Sequence, residues 1–230
     1  MKRKKLDSNV SVIIRTKNEE RWVGHTIQSV LDLIFKPEII IIDNDSEDET
    51  LNIVKHFQHD PELNNGDNSS YTQIKIIKID DYSPGKSLNL GVANSTKDYV
   101  LFISSHCVLT NLNFEKHIKD LESYICVFGN QSPIWEGKRI KKRYIWKHFI
   151  DEEVINMYSE MENRYFLHNA LAFYKKQTLL NMPFDGNLVG KEERYWAKNV
   201  IEKGYKILYD PQMKGDHHYT IYGNTWKGIG

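Results

Sequence analysis

The chain reads as an α/β domain on a mostly parallel central sheet, and three features predict this. Short apolar runs, VSVII (Val10 to Ile14), EIIIID (Glu38 to Asp43), IKIIKI (Ile74 to Ile79) and YVLFIS (Tyr99 to Ser104), alternate with helix-length segments, the mark of strand–helix–strand units. The EIIIID run is apolar on consecutive residues, as a strand covered on both faces requires. Polar residues follow each run at once, where ligands collect in open α/β sheets.

Taken in order, EERWVGHTIQSVLDLIF places Trp22, Val23, Ile27, Val30, Leu31 and Ile34 on one helical face. Ser46 and Glu49 have capping-box spacing ahead of a helix carrying Leu51, Val54 and Phe57. HDPELNNGDNSSYT is polar and turn-rich and reads as a mobile surface loop. SPGKSLNLGVANS reads as a loop and a short helix. In the less regular second half, YICVFG and NALAFY read as strands. GKEERYWAKNVIEKGYKILYD reads as a helix, a Gly204 stop and a final strand. Between them, WEGKRIKKRYIWKHF is a basic, aromatic surface stretch and IDEEVINMYSEMENRYF is expected to be a helix. No boundary or repeat divides the 230 residues, so a single domain is expected.

Composition excludes several classes. Lysine plus arginine (31) equals aspartate plus glutamate (31), so no global field favours nucleic acid. The basic head, Met1-Lys2-Arg3-Lys4-Lys5, is a solvated end or a contact for an anionic membrane. No apolar run approaches the ~20 residues that span a bilayer, and no leader pattern opens the chain, so a cytoplasmic protein is expected. Two distant cysteines, Cys107 and Cys126, form no CxxC pair and argue against a zinc ribbon or disulfide scaffold. His106-Cys107 is no nucleophilic dyad either, because neighbouring strand residues point to opposite faces.

The strand ends carry the chemistry. They read Arg15-Thr16-Lys17-Asn18-Glu19-Glu20, Asp43-Asn44-Asp45-Ser46, Asp80-Asp81-Tyr82 and Ser104-Ser105-His106. Thr16 with Glu19, and Asp45 or Ser46 with Glu49, also fit plain helix caps. Asp43, directly after four isoleucines, must be solvated, paired or bound to a ligand, and a ligand is the expectation.

VSVIIRTKNEERWVGHTIQSVL and EIIIIDNDSEDET, followed by YSPGKSLNLGVANSTKDYVLFISSHC, NALAFYKKQTL and GKEERYWAKNVIEKGYKILYDPQMKGDHHY, resemble the family 2 glycosyltransferases along nearly the entire chain. The resemblance implies the GT-A fold, a three-layer sandwich, with residues 1–105 as a nucleotide-binding half and 106–230 as an acceptor and catalytic-base half. It implies a nucleotide-diphosphate sugar donor and inverting transfer to a hydroxyl of a glycan, such as a capsule, lipopolysaccharide or glycoprotein, or of a lipid-linked glycan at a membrane. Asp43, with Asp45 close by, matches the base-binding aspartate. Thr16, Asn18 and Glu19 match the turn against the nucleoside, and Lys86 the position near the diphosphate. Glu193 falls on the catalytic base of the family's ED motif, with Glu192 before it. A base is needed there to take the acceptor hydroxyl's proton as its oxygen attacks.

Ser104 and His106 stand where the family's metal-binding DxD has its two aspartates. One solution keeps a metal, manganese or magnesium, with His106 and His217 or His218 as nitrogen ligands, which suit manganese or zinc better than magnesium. The other dispenses with metal and uses Lys86, Arg15 and His106 directly. Two further readings are a non-catalytic nucleotide- or glycan-binding relative and a metal-dependent hydrolase on His106, His217 and His218.

Overall fold

A computed structural model of the chain describes residues 9–58, 73–221, 223 and 226. The basic head and the turn-rich stretch 59–72 lie outside the described residues.

Four strands form one half of the sheet: β1 (Val10–Thr16), β2 (Glu38–Asp43), β3 (Gln73–Lys78) and β4 (Tyr99–Ser104). Between them lie helices α1 (Val23–Leu33), α2 (Thr50–Gln58) and α3 (Pro84–Asn94). The chain continues through β5 (Cys107–Asn111), α4 (Phe114–Asp120), β6 (Cys126–Trp135), β7 (Lys138–Arg139), a 3-10 turn (Tyr144–His148) and the short strands β8 (Val154–Ile155), β9 (Tyr158–Ser159) and β10 (Arg164–Tyr165). It closes with β11 (Leu171–Lys175), α5 (Lys176–Asn181), α6 (Glu192–Glu202) and β12 (Ile207–His218). The main sheet runs β3-β2-β1-β4-β11-β6-β12-β5. β3, β2, β1, β4, β6 and β12 share one direction; β11 and β5 run against it. The mostly parallel sheet read from the sequence is the one observed.

Alternate residues of the central strands feed two separate cores. Ile13, Ile40, Ile42, Val100 and Phe102 pack with Leu88 and Val92 of α3, Leu179 of α5 and Trp196, Ala197 and Val200 of α6. Val12, Ile14, Ile39, Ile41, Leu101 and Ile103 pack with Val23, Ile27 and Val30 of α1, Val54 of α2 and Phe114 of α4. The result is helix, sheet, helix. Each such side chain contributes roughly 1.5–3 kcal/mol by leaving water, which fixes strand register.

Several expectations are corrected. The segment SPGKSLNLGVANS is one helix from Pro84 onward, because Ser83 caps it by accepting from the Lys86 backbone N–H at 3.1 Å and Pro84 fits the first turn. The Ser46–Glu49 box does not form: the Ser46 hydroxyl donates to Asp43 at 2.6 Å and accepts from the Asn18 backbone at 2.9 Å, and Asp48 instead accepts from the Thr50 N–H. The expected helix over 150–166 is absent. Asn156 (φ 53) and Asn163 (φ 49) sit in the left-handed region, which breaks a helix, and β8 pairs with Leu208 and Tyr209 of β12.

β12 carries an irregularity that the rest of its sheet must accommodate. Its pairing with β6 jumps from Asp210 opposite Gly129 to Lys214 opposite Asn130. Asp210 clasps the extra loop: its carboxylate accepts from the Gln212 N–H at 2.7 Å, from His117 at 3.0 Å and from Lys116 at 2.8 Å. Burial opposes that charge, but the hydrogen bonds from His117 and Lys116 outweigh it and hold the Asp210 pKa well below the carboxylate range. Opposite, a Cβ on Gly129 would lie 2.4 Å from the Met213 carbonyl oxygen and 2.8 Å from Leu171. Gly129→Ala is therefore expected to destabilise the protein by about 1–3 kcal/mol, read as a lowered urea midpoint.

Candidate active site

The carboxyl ends of β1, β2 and β4 meet α6 around a cleft of about 620 Å³. Its floor starts with two interlocked turns. The Thr16 hydroxyl donates to Asp43 at 2.8 Å, the Asn44 N–H to the Thr16 carbonyl at 2.9 Å and the Glu47 N–H to Asn18 Oδ1 at 2.8 Å. Asn18 takes a left-handed φ of 52° to make this exchange. Asp43 is fully buried, and its two oxygens are met by Thr16 and by the hydroxyl and N–H of Ser46. Asp43 therefore supports the turn from behind, whereas Thr16 and Asn44 line the cleft.

Among the sequence-predicted residues, Thr16, Glu19, Ser104, His106, Glu192 and Glu193 line this one cleft. Asn18 lines a neighbouring hollow of about 460 Å³ with Glu19, Trp22 and Tyr219. Asp45 is exposed and pairs with Lys78 at 3.5 Å. Lys86 points its ammonium to Asp81 at 2.5 Å and is not among the lining residues.

Glu192 and Glu193 open α6, where the helix dipole favours carboxylates, and core packing of Trp196, Ala197 and Val200 fixes the helix. Neighbouring helical residues diverge by about 100°, and the two acids accordingly take different partners. Glu192 faces Arg15 at 3.4 Å. Glu193 pairs with the Arg194 guanidinium, which also donates to the Leu167 carbonyl, reaches Glu162 at 3.3 Å and lies 4.4 Å over the Phe166 ring. Burial raises the Glu193 pKa and the Glu192 charge adds to it; Arg194 and Arg15 oppose, and the balance stands at about 7. A carboxylate tuned to neutrality in a cleft is suited to accept a proton.

Two of the histidines stay together and one turns away: the rings of His106 and His217 lie with centroids 4.8 Å apart. His106 Nδ1 is 3.0 Å from Glu19 Oε1. His217 is fully buried with Nδ1 on Gln131 at 2.8 Å, and Gln131 continues to His168 at 3.1 Å. Burial holds the pKa of both His217 and His168 well below the usual range, so both are neutral. His218 instead stacks on Trp22 with ring centroids 3.9 Å apart. Adjacent strand residues face opposite ways, so His217 and His218 do not share a site. Cys107 is buried and desolvation pushes its thiol pKa up, away from nucleophile chemistry.

The donor set at the end of β4 does not fit a hard divalent cation. Such an ion takes oxygen ligands, chiefly carboxylates. Here Ser104 and His106 supply a hydroxyl and an imidazole, and the adjacent carboxylate, Glu19, is engaged by His106. Among the described residues, the buried atoms without a hydrogen-bond partner include Glu19 Oε2, His217 Nε2 and His218 Nδ1. They do not close into a ligand set: among the described residues, a three-ligand grouping within 4.8 Å occurs at His117, Asp120 and Asp210. There Lys116 already bridges the carboxylates of Asp120, Glu153 and Asp210.

Sequence reasoning gave no site role to Lys17, Tyr82, His168, Asn169, Lys191 and Arg194, all of which line the cleft. For Lys17 and Tyr82 the signal was available, since both follow strand runs. Asn169 comes from the turn before β11, accepts from the Tyr174 hydroxyl at 2.5 Å and leaves its buried Nδ2 without a protein partner. Its place emerges from the antiparallel insertion of β11 beside β4.

The architecture resembles solved structures that share little sequence with it. It matches Staphylococcus aureus TarS 1–349 in complex with UDP-GlcNAc with a TM-score of 0.67 at 18% identity, covering 96% of this chain and 61% of that one. It matches GalNAc-T7, solved with UDP, GalNAc and Mn2+, with a TM-score of 0.68 at 17% identity, over 94% and 44%. This likeness shows the GT-A fold. In sequence the chain is 24% identical over 195 residues to the O-antigen chain rhamnosyltransferase WbaN of Salmonella anatum (80% of this chain, 58% of that protein). It is 26% identical over 202 residues to the GalNAc(5)-diNAcBac-PP-undecaprenol beta-1,3-glucosyltransferase of Campylobacter jejuni (86% and 62%). The chain thus spans about three fifths of the length of these two relatives. The family pattern described as "Glycosyl transferase family 2" matches residues 11–181. With the paired strand-end turns and the acidic start of α6 in one cleft, the chain belongs to glycosyl transferase family 2.

Proposed function

We propose that the chain transfers a sugar from a nucleotide-diphosphate donor to a hydroxyl of a glycan or lipid-linked glycan, with inversion at the anomeric carbon. It works as one domain, with residues 1–105 holding the nucleotide and 106–230 supplying the acceptor side and the base. The nucleoside lies against Thr16 and Asn44, with Asp43 as their support. Glu193 takes the proton of the acceptor hydroxyl as that oxygen bonds to the anomeric carbon and the bond to the diphosphate breaks. The observation that carries this reading is Glu193 itself, a buried carboxylate that lines the strand-end cleft and whose pKa is raised to about 7. The lipid-linked acceptor class is motivated by the undecaprenol in the name of the Campylobacter relative, and it motivates a location at the cytoplasmic face of a membrane. Among the described residues no helix is long and apolar enough to cross one.

Three outcomes are expected. In a panel of nucleoside diphosphates, one base class should raise the melting temperature, with about 2.7 kcal/mol of added stability at a hundredfold excess over Kd. With the matching donor, Glu193→Gln should lower turnover by about 10²–10⁴ while circular dichroism is unchanged. A Glu193→Gln protein as fast as the parent would remove the assigned base. The base acts only when ionised, so below its pKa the rate should fall about tenfold per pH unit; kcat/KM should climb with pH to about 7 and level off above. Glu193→Gln should abolish that rise.

A further inference from the structure

The same cleft contains a fixed positive charge where the family resemblance leads one to expect a metal. β1 and β4 are parallel neighbours, and Arg15 is the register partner of Ser104. The guanidinium thus stands directly beside the strand end whose donors do not suit a hard, oxygen-seeking divalent cation. It is anchored from two sides, by the Pro84 carbonyl at 3.1 Å and by Glu192 Oε1 at 3.4 Å. Both bonds are drawn by Nη1. A guanidinium carries five N–H donors, and among the described residues those on Nε and Nη2 meet no hydrogen-bond acceptor, which leaves them for a ligand in the cleft that the side chain lines. The Glu192 contact is longer than the ~2.7–2.9 Å of a tight charge-assisted bond, so it restrains Arg15 without consuming it. Burial works against the charge, but Tyr82, Glu192 and Glu193 outweigh it and raise the Arg15 pKa above its usual value. Lys17, on the other side of Thr16, lines the cleft with its ammonium on the Asp45 carbonyl oxygen at 2.5 Å.

We propose that Arg15, positioned by Glu192, binds the donor diphosphate directly and does the work of a divalent cation, so that this chain transfers sugar without metal. This rests on the donor reading above. In the step itself the acceptor oxygen forms its bond to the anomeric carbon and its proton passes to Glu193. The bond from that carbon to the β-phosphate oxygen breaks, and its electron pair leaves with the nucleoside diphosphate, whose new charge meets the Arg15 guanidinium. The fork of the guanidinium suits two phosphate oxygens at once.

The test is calorimetric binding of UDP, GDP and dTDP against uridine, guanosine and thymidine, in excess EDTA and again with Mn2+. The parent protein should bind one nucleoside diphosphate about 10–100-fold tighter than its nucleoside in EDTA, with no gain from Mn2+. Arg15→Met should erase that preference and leave nucleoside affinity as it was; Arg15→Lys should retain part of it. Glu192→Gln, which removes the competing carboxylate, should shift diphosphate affinity upward and leave nucleoside affinity alone, a response that a merely structural Arg15–Glu192 pair would not give. A diphosphate preference that needs Mn2+, or one that survives in Arg15→Met, overturns the inference while the donor site stands. If the folded parent binds neither nucleosides nor nucleotides, the donor reading falls and this inference with it.

Discussion

A sheet buried on both faces is the constraint from which the rest follows. β1, β2 and β4 send alternate side chains into two helical layers, and an ionised group facing either layer would need a dedicated partner. Ser11 and Glu38, which do sit inside, show what that takes: the Glu38 carboxylate accepts from Ser11 at 2.5 Å, from the Thr96 N–H at 2.7 Å and from Lys75 at 2.9 Å. Groups that must meet a ligand are therefore confined to strand ends. Because β1 lies between β2 and β4, the ends of these three strands are neighbours whatever their loops do.

At those ends a chain of charges, from the buried Glu192 and Arg194 to the partly buried Arg15 and Glu162 and the exposed Lys191, ties distant segments together. Arg15 joins β1 to the start of α3 through Pro84 and to α6 through Glu192. Arg194 joins α6 to Leu167, before β11, and to Glu162 in the turn between β9 and β10; Lys191 reaches the same Glu162 at 4.0 Å. Removing one partner from such a set leaves an uncompensated buried charge, which costs far more than the pair contributes. The network thereby holds the first turn of α6 in place against β1, and the position of Glu193 is set by contacts made on three other parts of the chain.

This explains what could be read from the sequence. EIIIID and YVLFIS mark β2 and β4 to the residue because two-sided burial writes itself as an uninterrupted apolar run. The segment 150–166 is misread because its apolar spacing resembles a helix, while its actual partner, β12, is some fifty residues away and is bulged. Glu193 is legible as a residue but not as a group near neutrality, since that depends on Arg194 and Glu192 together with burial. Of the two partners expected for His106, His218 is turned away by the alternation of β12 and held on Trp22, whereas His217 keeps its ring 4.8 Å from His106 with Nδ1 held by Gln131. Lys86 is drawn aside by Asp81, five residues earlier, a short-range competitor visible in the sequence.

The cleft also divides its electrostatic work between groups of different kinds. His168 and His217 are held neutral by burial, so neither brings charge to an anion entering the cleft. Arg15 stays charged at every pH at which the protein folds, with its pKa raised further by its acidic neighbours. Glu193, by contrast, sits where a proton is accepted and released with little driving force. A permanent cation beside a switchable base separates the two kinds of charge, which remain coupled because Arg15 also lowers the Glu193 pKa. That separation depends on Glu192: its charge helps to anchor Arg15 and raises the pKa of Glu193, one residue on, so a single carboxylate sets both properties.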